Sequence, residues 1–455
     1  RLVGFGDVYK RQNKMAVYRA KEFGAKADGV TKDTAAIQRA IDICAQNGGG
    51  RVLLEDGTFL SGTLYLKSYV YLEIAESALL KASPEIFDYG TDTHHNRYRN
   101  ETELDRCFLF AQDAEDFGLI GYGMIDGNAE SFPNAGDKYR PMMLRLLNCK
   151  QFHLEHLRLM NAAAWTTCFL DSEYIWVHGV DIRNEKRYNG DGLDFDGCRH
   201  VWISDCHIKG TDDNLCLQSS GQTTEDIHIT NCAFTSVCAG IRIGLKSIGD
   251  IQNVVISNCT MHGIYREGIK IECTEGGVIC DILIENVTMR NVRRPLYFLL
   301  NQRFEPDDLG SSVELTAMPK VGKIERIRVS GITAVDEACM SEKQYRFTDD
   351  IMGEPKFNGI RVDAAKDHAI RDLILRDVFY HSIGGVKASE IPTEYPEQTE
   401  NYWPDWSRCA FVYIRRVDGL TLDHVVCDCE NEDERVPFLI EECSHVSGTI
   451  EVRDK

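Results

Sequence analysis

Three aspartates stand out by type and spacing. Asp191 lies in Asn189-Gly190-Asp191-Gly192-Leu193-Asp194, and Asp212 and Asp213 form a doublet in Thr211-Asp212-Asp213-Asn214. Asp213 follows Asp191 by 22 residues, the length of one turn of a short-repeat solenoid, whose parallel strands lie about 4.8 Å apart. Carboxylates held that close repel, so one pKa rises and an acid is left beside a base. Such a pair is what glycosidic bond cleavage requires. Asp194 stands close enough in sequence to support the three.

Two cations recur at a similar interval. Arg242, in Gly240-Ile241-Arg242-Ile243-Gly244, and Lys270, in Gly268-Ile269-Lys270-Ile271-Glu272, are 28 residues apart. Each interrupts an apolar alternation, so both are expected to point outward on the aspartates' face. There they would neutralise the acidic cluster or hold substrate hydroxyls or carboxylates.

What must position these groups is an internal repeat. The segments ending at Leu157, Val180, Cys206, Cys232, Cys259 and Val287 step by 23, 26, 26, 27 and 28 residues, and Ile332, Val378 and Val425 continue the series at 45, 46 and 47. The larger steps fit one rung plus a long inserted loop, or two rungs with the middle one degraded. Each unit is a β-rich run with period-2 alternation, ended by Asn, Asp or Gly and too small to bury its own apolar face. Leucine-rich spacing is absent and a propeller blade needs about 40 residues. The expectation is an all-β, right-handed parallel β-helix, a single-stranded solenoid, with Asn231, Asn258 and Asn286 as strand-ending turn residues. Its rungs run from about 50 to 452, with long loops at 84–106, 302–322, 336–369 and 384–408.

Ile37, Ala40, Ile41 and Cys44 fall at the i, i+3, i+4, i+7 spacing of an amphipathic helix over 33–45. Thr31 or Asp33 would cap it, Gly48-Gly49-Gly50 would end it, and it would plug the N-terminal end of the solenoid. Although length alone suggests about three domains, the continuous repeat makes residues 13–455 one. Residues 1–12 read as a non-native, adapter-derived segment and are set aside. Were Met15 the native start, no room would remain for a secretory signal, which points to a cytoplasmic protein.

With 51 Lys and Arg against 71 Asp and Glu, the formal charge is −20, which disfavours nucleic acid and anionic membranes as partners. Hydrophobic residues at 43% exclude global disorder, and no apolar run is long enough to span a membrane. The 17 cysteines include no CxxC pair, against zinc ribbons and redox motifs. Cys206, Cys232 and Cys259 share one repeat position and read as interior filling, compatible with a reducing compartment. His94-His95 lack further ligands at metal-binding spacing, so neither a metal nor another cofactor is expected.

The chain resembles glycoside hydrolase family 28, the polygalacturonase family, and its bacterial branch in particular. The resemblance rests on Phe23-Gly24-Ala25-Lys26-Ala27-Asp28-Gly29, Asp33-Thr34-Ala35-Ala36-Ile37, Gly121-Tyr122-Gly123-Met124-Ile125-Asp126-Gly127, Asn161 with Trp165, and above all the NxDGxD and DD motifs. It implies an inverting hydrolase with Asp212 as general acid and Asp191 and Asp213 activating the attacking water. Candidate substrate-binding residues are Asn189, Asp194, Gln218, Arg242, Lys270, Glu272, Trp165, Tyr98 and Trp403, the aromatics stacking on sugar rings.

Two departures bear on substrate. The family's Gly-His-Gly motif falls on Val237-Cys238-Ala239-Gly240, which has no histidine, and its Arg-Ile-Lys motif falls on Lys270-Ile271-Glu272. In polygalacturonases those cations bind galacturonate carboxylates; Glu272 would repel one unless it pairs with Arg242 or Arg266. The expected partner is therefore a pectin-derived or related plant oligosaccharide other than plain polygalacturonate. The alternatives are a β-helix lyase or epimerase acting on uronates, with Ca²⁺ held by the aspartates and Arg242 or Lys270 as base, and a non-catalytic sugar-binding β-helix.

Overall fold

Short runs of alternating apolar residues, each closed by a residue that tolerates a left-handed backbone, coil into stacked rungs. The computed structural model describes residues 16–93, 97, 104–133, 140–309, 315, 317–337, 355–391 and 410–452; the first 15 residues, and with them the adapter-like segment, lie outside these. Nearly all of the regular structure is parallel strand, so the chain is a parallel β-helix. It divides into two compact units, Arg1–Gly190 with His200–His207 and Asp191–Arg199 with Ile208–Lys455.

In the first unit the helix α1, Thr34–Gln46, buries Ile37, Ala40, Ile41 and Cys44, the face its spacing anticipates. Asp33 occupies the N-cap position without capping: its carboxylate accepts the N–H groups of Lys26 and Ala27 at 2.7 and 2.9 Å, so it ties down the preceding turn. The helix also covers a strand edge. Gln38 Nε2 donates to Tyr65 O at 3.0 Å while Gln38 Oε1 accepts Tyr65 N–H at 2.8 Å, satisfying backbone groups that water would otherwise have to solvate. Pairing begins earlier than expected from the repeat, with Val17–Arg19 on Gly50–Leu54 and Asp28–Lys32 on Gly57–Ser61. The interior is built by register: Val52, Leu72, Leu119, Leu154 and Val177 stack one above the next, each no more than 1% exposed.

The second unit repeats the device over more rungs. Ile229, Ile256, Ile284, Val329, Leu375 and Leu422 are successive register partners and all are buried. Because Ile284 faces Val329 directly, as Val329 faces Leu375, the 45- to 47-residue steps are single rungs carrying insertions. One expected loop is corrected by the same logic. Ile360–Ala364, placed by sequence inside the 336–369 loop, is a strand between Tyr297–Leu300 and Ile360's partner Val412. Cys232 and Cys259 are buried at 2% and 1%, and Thr288 N–H, next to Val287, reaches Cys259 O at 3.1 Å, so this column is interior filling. Thirteen of the fifteen described cysteines are buried.

The third residue of each repeat has φ between 50° and 64°: His156, Gly179 and Asp205 in the first unit, and Asn231, Asn258, Asn286, Gly331, Asp377 and His424 in the second. Left-handed backbone is where Gly, Asn and Asp are least penalised, which explains the composition of the position. Asn286 Nδ2 donates to Asn258 Oδ1 at 3.3 Å, and at Gly331, the next level, a Cβ would come within 2.8 Å of Asn286 Oδ1. Asn258→Val is therefore expected to cost about 1–2 kcal/mol in urea unfolding, because a β-branched residue is forced left-handed and the amide bond is lost. Asn258→Gly should lie closer to wild type.

Candidate active site

The second unit carries the chemistry-bearing cluster on the outer side of one strand column. Asp194 faces Cys216, Cys216 faces Arg242, Arg242 faces Lys270 and Lys270 faces Tyr297. Their alternating neighbours Leu193, Leu215, Ile241, Ile269 and Leu296 are all 0% exposed and fill the interior. Period-2 alternation thus puts the polar column on the side away from the core.

Asp212 and Asp213 sit in the turn that enters the strand Leu215–Ser219. The turn is fixed by backbone bonds, Gly192 N–H to Asp213 O at 3.0 Å and Asn214 N–H to Ala239 O at 3.0 Å. Asn214 Nδ2 adds bonds to Ile208 O and Thr235 O at 3.2 and 2.9 Å. Asp213, 1% exposed, receives Arg242 Nη2 at 2.7 Å on Oδ2 and Ala239 N–H at 3.1 Å on Oδ1. Burial opposes its charge, but Arg242 and Lys270 outweigh that and hold the carboxyl below the usual range. Asp212 is half-buried, and its Oδ1 accepts Asp213's own N–H at 3.0 Å. Burial, then the adjacent Asp213, pushes it up to about 6. Asp191 and Asp194 are buried nearby, with carboxylate oxygens and the Cys216 sulfur all within 4.8 Å of one another, and burial drives Asp194 well above its ordinary value. The structure therefore brings together an accessible carboxyl that keeps its proton up to about pH 6 and a buried one that gives it up below the usual carboxylate range.

Beyond Arg242 the network turns inward. Lys270 Nζ lies 3.3 Å from both Glu267 Oε2 and Glu272 Oε1, and all three residues are at most 2% exposed. Glu267 also takes Arg294 on its other oxygen, with Arg266 Nε at 3.7 Å. Glu272 is thus neutralised by Lys270 on its own strand, where the sequence suggested Arg242 or Arg266; Arg242 is committed to Asp213, and Arg266 to Glu267 and to Cys238 Sγ at 3.6 Å. Tyr297 closes the cluster, its ring 5.6 Å from Lys270 Nζ and 5.7 Å from the Arg294 guanidinium carbon.

The remaining candidates divide. Gln218 is buried and faces Asp196 in the register, two residues along the strand from Cys216 and so on the same side. Asn189 belongs to the first unit, where Arg140 Nη2 donates to its Oδ1 at 2.7 Å. Trp165 is corrected: it is packed in an apolar cluster of the first unit with Leu104, Cys107, Met142 and Cys168, core rather than a sugar platform. Tyr98 and Trp403 lie outside the described residues. Reasoning from sequence missed Glu267, Arg294, Cys216 and Cys238. For the last, the departure from Gly-His-Gly was the available signal.

Two donor groups, Asp191 with Asp194 and Cys216, and Asp212 with Asp213 and Cys238, have ligand atoms within 4.8 Å of one another. Burial raises both thiols well above their ordinary value, so each group offers two carboxylates and a protonated sulfur. Ca²⁺ takes six to eight oxygens, and Arg242 already occupies Asp213. These residues do not fit the Ca²⁺ that a uronate lyase would use here.

Residues 75–342 match the model described as glycosyl hydrolases family 28, and residues 17–78 match rhamnogalacturonase A/epimerase, pectate lyase-like. Among curated proteins the chain is 26% identical over 306 residues to a probable polygalacturonase of Vitis vinifera, covering 60% of each chain. It is 27% identical over 298 residues to an endo-polygalacturonase of Pectobacterium carotovorum subsp. carotovorum, covering 60% of this chain and 72% of that one. The chain spans about 60% of the length of the first of these relatives. In fold it is similar to the family 28 exopolygalacturonase of Yersinia enterocolitica, with a TM-score of 0.71 and 16% identity over 95% of this chain and 78% of that one. The exopolygalacturonase of Thermotoga maritima gives 0.65 and 19% over 83% and 91%. A family model that matches more than half of the residues, over the segment holding all three aspartates, settles the assignment: the chain belongs to glycosyl hydrolases family 28.

Proposed function

We propose that the chain is a glycosidase that cleaves pectin-derived or related plant oligosaccharides by general acid/base catalysis with inversion. Asp212 protonates the leaving oxygen, while Asp191 and Asp213 activate the attacking water. The observation that carries this reading is the split between neighbours: Asp212 is accessible and pushed up to about 6, while Asp213, 2.7 Å from Arg242, is held below the usual carboxylate range. An acid and a base kept apart in pKa by their surroundings are what the reaction needs. A lyase or epimerase reading has less support, because its base would be Arg242 or Lys270, and both are tied to carboxylates.

The reading also holds that plain polygalacturonate is not the preferred substrate. Where the family places two cations, this chain has Lys270 and Glu272 neutralising each other, with Glu267 adding another acid. A galacturonate carboxylate would meet no spare positive charge at these positions. A cytoplasmic location, consistent with the buried thiols, belongs to the same proposal.

Asp212→Asn is expected to lower kcat roughly 10²–10⁴-fold on whichever pectic oligosaccharide wild type hydrolyses, read by reducing ends and product anomer. Unchanged turnover would overturn the assignment, and binding without turnover in both proteins would favour a sugar-binding role. Asp212 must be protonated, so kcat/KM should fall as pH rises through about 6. Asp213 must be ionised, so the acid limb should lie below the ordinary carboxylate range. On substrate class, oligogalacturonates are expected to be poor substrates. Rapid cleavage of them, undiminished in Lys270→Ala, would sink that part of the proposal.

A further inference from the structure

Two thiols flank the carboxylates. Cys216 stands between Asp194 and Arg242 in the register, with its Sγ 3.7 Å from Asp213 Oδ2. Cys238, at the place where the family motif carries a histidine, has its Sγ within 4.8 Å of carboxylate oxygens of both Asp212 and Asp213. Its position is set by the backbone: Cys238 N–H donates to Ser236 Oγ at 2.8 Å, and that hydroxyl donates to the Asp212 carbonyl. The thiol and the accessible aspartate are thereby hung from one hydroxyl. Arg266 Nη1 points a hydrogen at the Cys238 sulfur from 3.6 Å, so the sulfur accepts from the guanidinium and its own hydrogen is left for an acceptor on the other side.

Both thiols are buried and burial raises both well above their ordinary value, so each carries its hydrogen across the working pH range. A neutral S–H is a weak donor, but the acceptors here are carboxylates, and a bond to the ionised form favours that form.

We infer that Cys238 and Cys216 are positioning residues for the acid/base pair, donating S–H bonds to the carboxylates, Cys238 to Asp212 and Asp213 and Cys216 to Asp213. This inference rests on the roles proposed above for Asp212 and Asp213. The two thiols act differently because they face different groups. Asp212 meets Asp213, Arg242, Arg266 and Cys238; Asp213 meets Arg242, Lys270, Arg266, Cys238, Cys216 and, across the column, Asp194. Removing the Cys238 hydrogen takes a donor from both aspartates and moves both titrations upward, whereas removing the Cys216 hydrogen moves those of Asp213 and Asp194 and spares Asp212.

The test is ¹³C NMR of protein labelled at the aspartate carboxyl carbons, with the Asp212 and Asp213 signals assigned by Asp212→Asn and Asp213→Asn. It needs no substrate. Cys238→Ala is expected to raise the Asp212 midpoint by about half a unit to one unit and Asp213 with it. Cys238→Ser should return both towards wild type, and Cys216→Ala should move Asp213 and leave Asp212 in place. Cys238→Val, which fills the space without a donor, stands in if the alanine variant does not fold. An Asp212 midpoint unmoved in a Cys238→Ala or Cys238→Val protein that melts like wild type overturns the inference. Running kcat/KM against pH on pectic oligosaccharides separates the two claims. Carboxyl shifts without hydrolysis of any of them sink the glycosidase reading and leave the thiol bonds standing. Hydrolysis with unmoved limbs and unmoved carboxyl signals does the reverse.

Discussion

Parallel strands about 4.8 Å apart set every outward side chain over its counterpart one rung away, so a charge at one level constrains the next. In the second unit the column Asp194, Cys216, Arg242, Lys270, Tyr297, Arg361, Tyr413 never places two acids in succession. The adjacent positions supply the opposite sign: Glu272 beside Lys270, and Asp363 bonded to Arg415 at 3.0 and 2.7 Å. Stacked like charges remain at Arg242 and Lys270, and there Asp213 and Glu267 are drawn in from the sides. The lowered titration of Asp213 and the raised titration of Asp212 follow from where that compensation reaches and where it stops.

The rung pattern was legible because the period of the repeat and the chemistry of its turn agree. An apolar first position, a left-handed third position and a small apolar fourth recur in sequence, and the register confirms them at Ile229, Asn231 and Cys232 and again at Ile256, Asn258 and Cys259. The helix face was legible for a similar reason, since Ile37, Ala40, Ile41 and Cys44 satisfy a period of 3.6. The aspartates could be found because a doublet one turn after an Asn-Gly-Asp exceeds what turn chemistry calls for.

Glu267 was hidden by a break in that same regularity. Period-2 counting back from Glu272 and Lys270 puts Gly268 and Arg266 on the outer side and Glu267 on the inner. The register slips between Ile264 and Glu267, however, where three residues answer two on the partner strand, and a bulge of this kind re-aims a side chain. Trp165 failed for another reason: an aromatic near a motif has the same composition whether it meets a sugar or a core, and here it meets Leu104, Met142 and Cys168. The pairing of Glu272 is likewise a matter of reach along one strand, which residue type alone does not decide.

The rungs of 45 to 47 residues have a bearing on how such a chain tolerates change. Closing a loop twice as long costs only about 0.6 kcal/mol in chain entropy, whereas burying one interior Val or Leu contributes roughly 1.5–3 kcal/mol. Each long rung still delivers its full set of interior side chains, Val329 with Ile332 and Leu375 with Val378. One stacked aliphatic residue therefore offsets an insertion as long as the rung itself, and the loops can lengthen or shorten independently of the pitch that aligns the carboxylates.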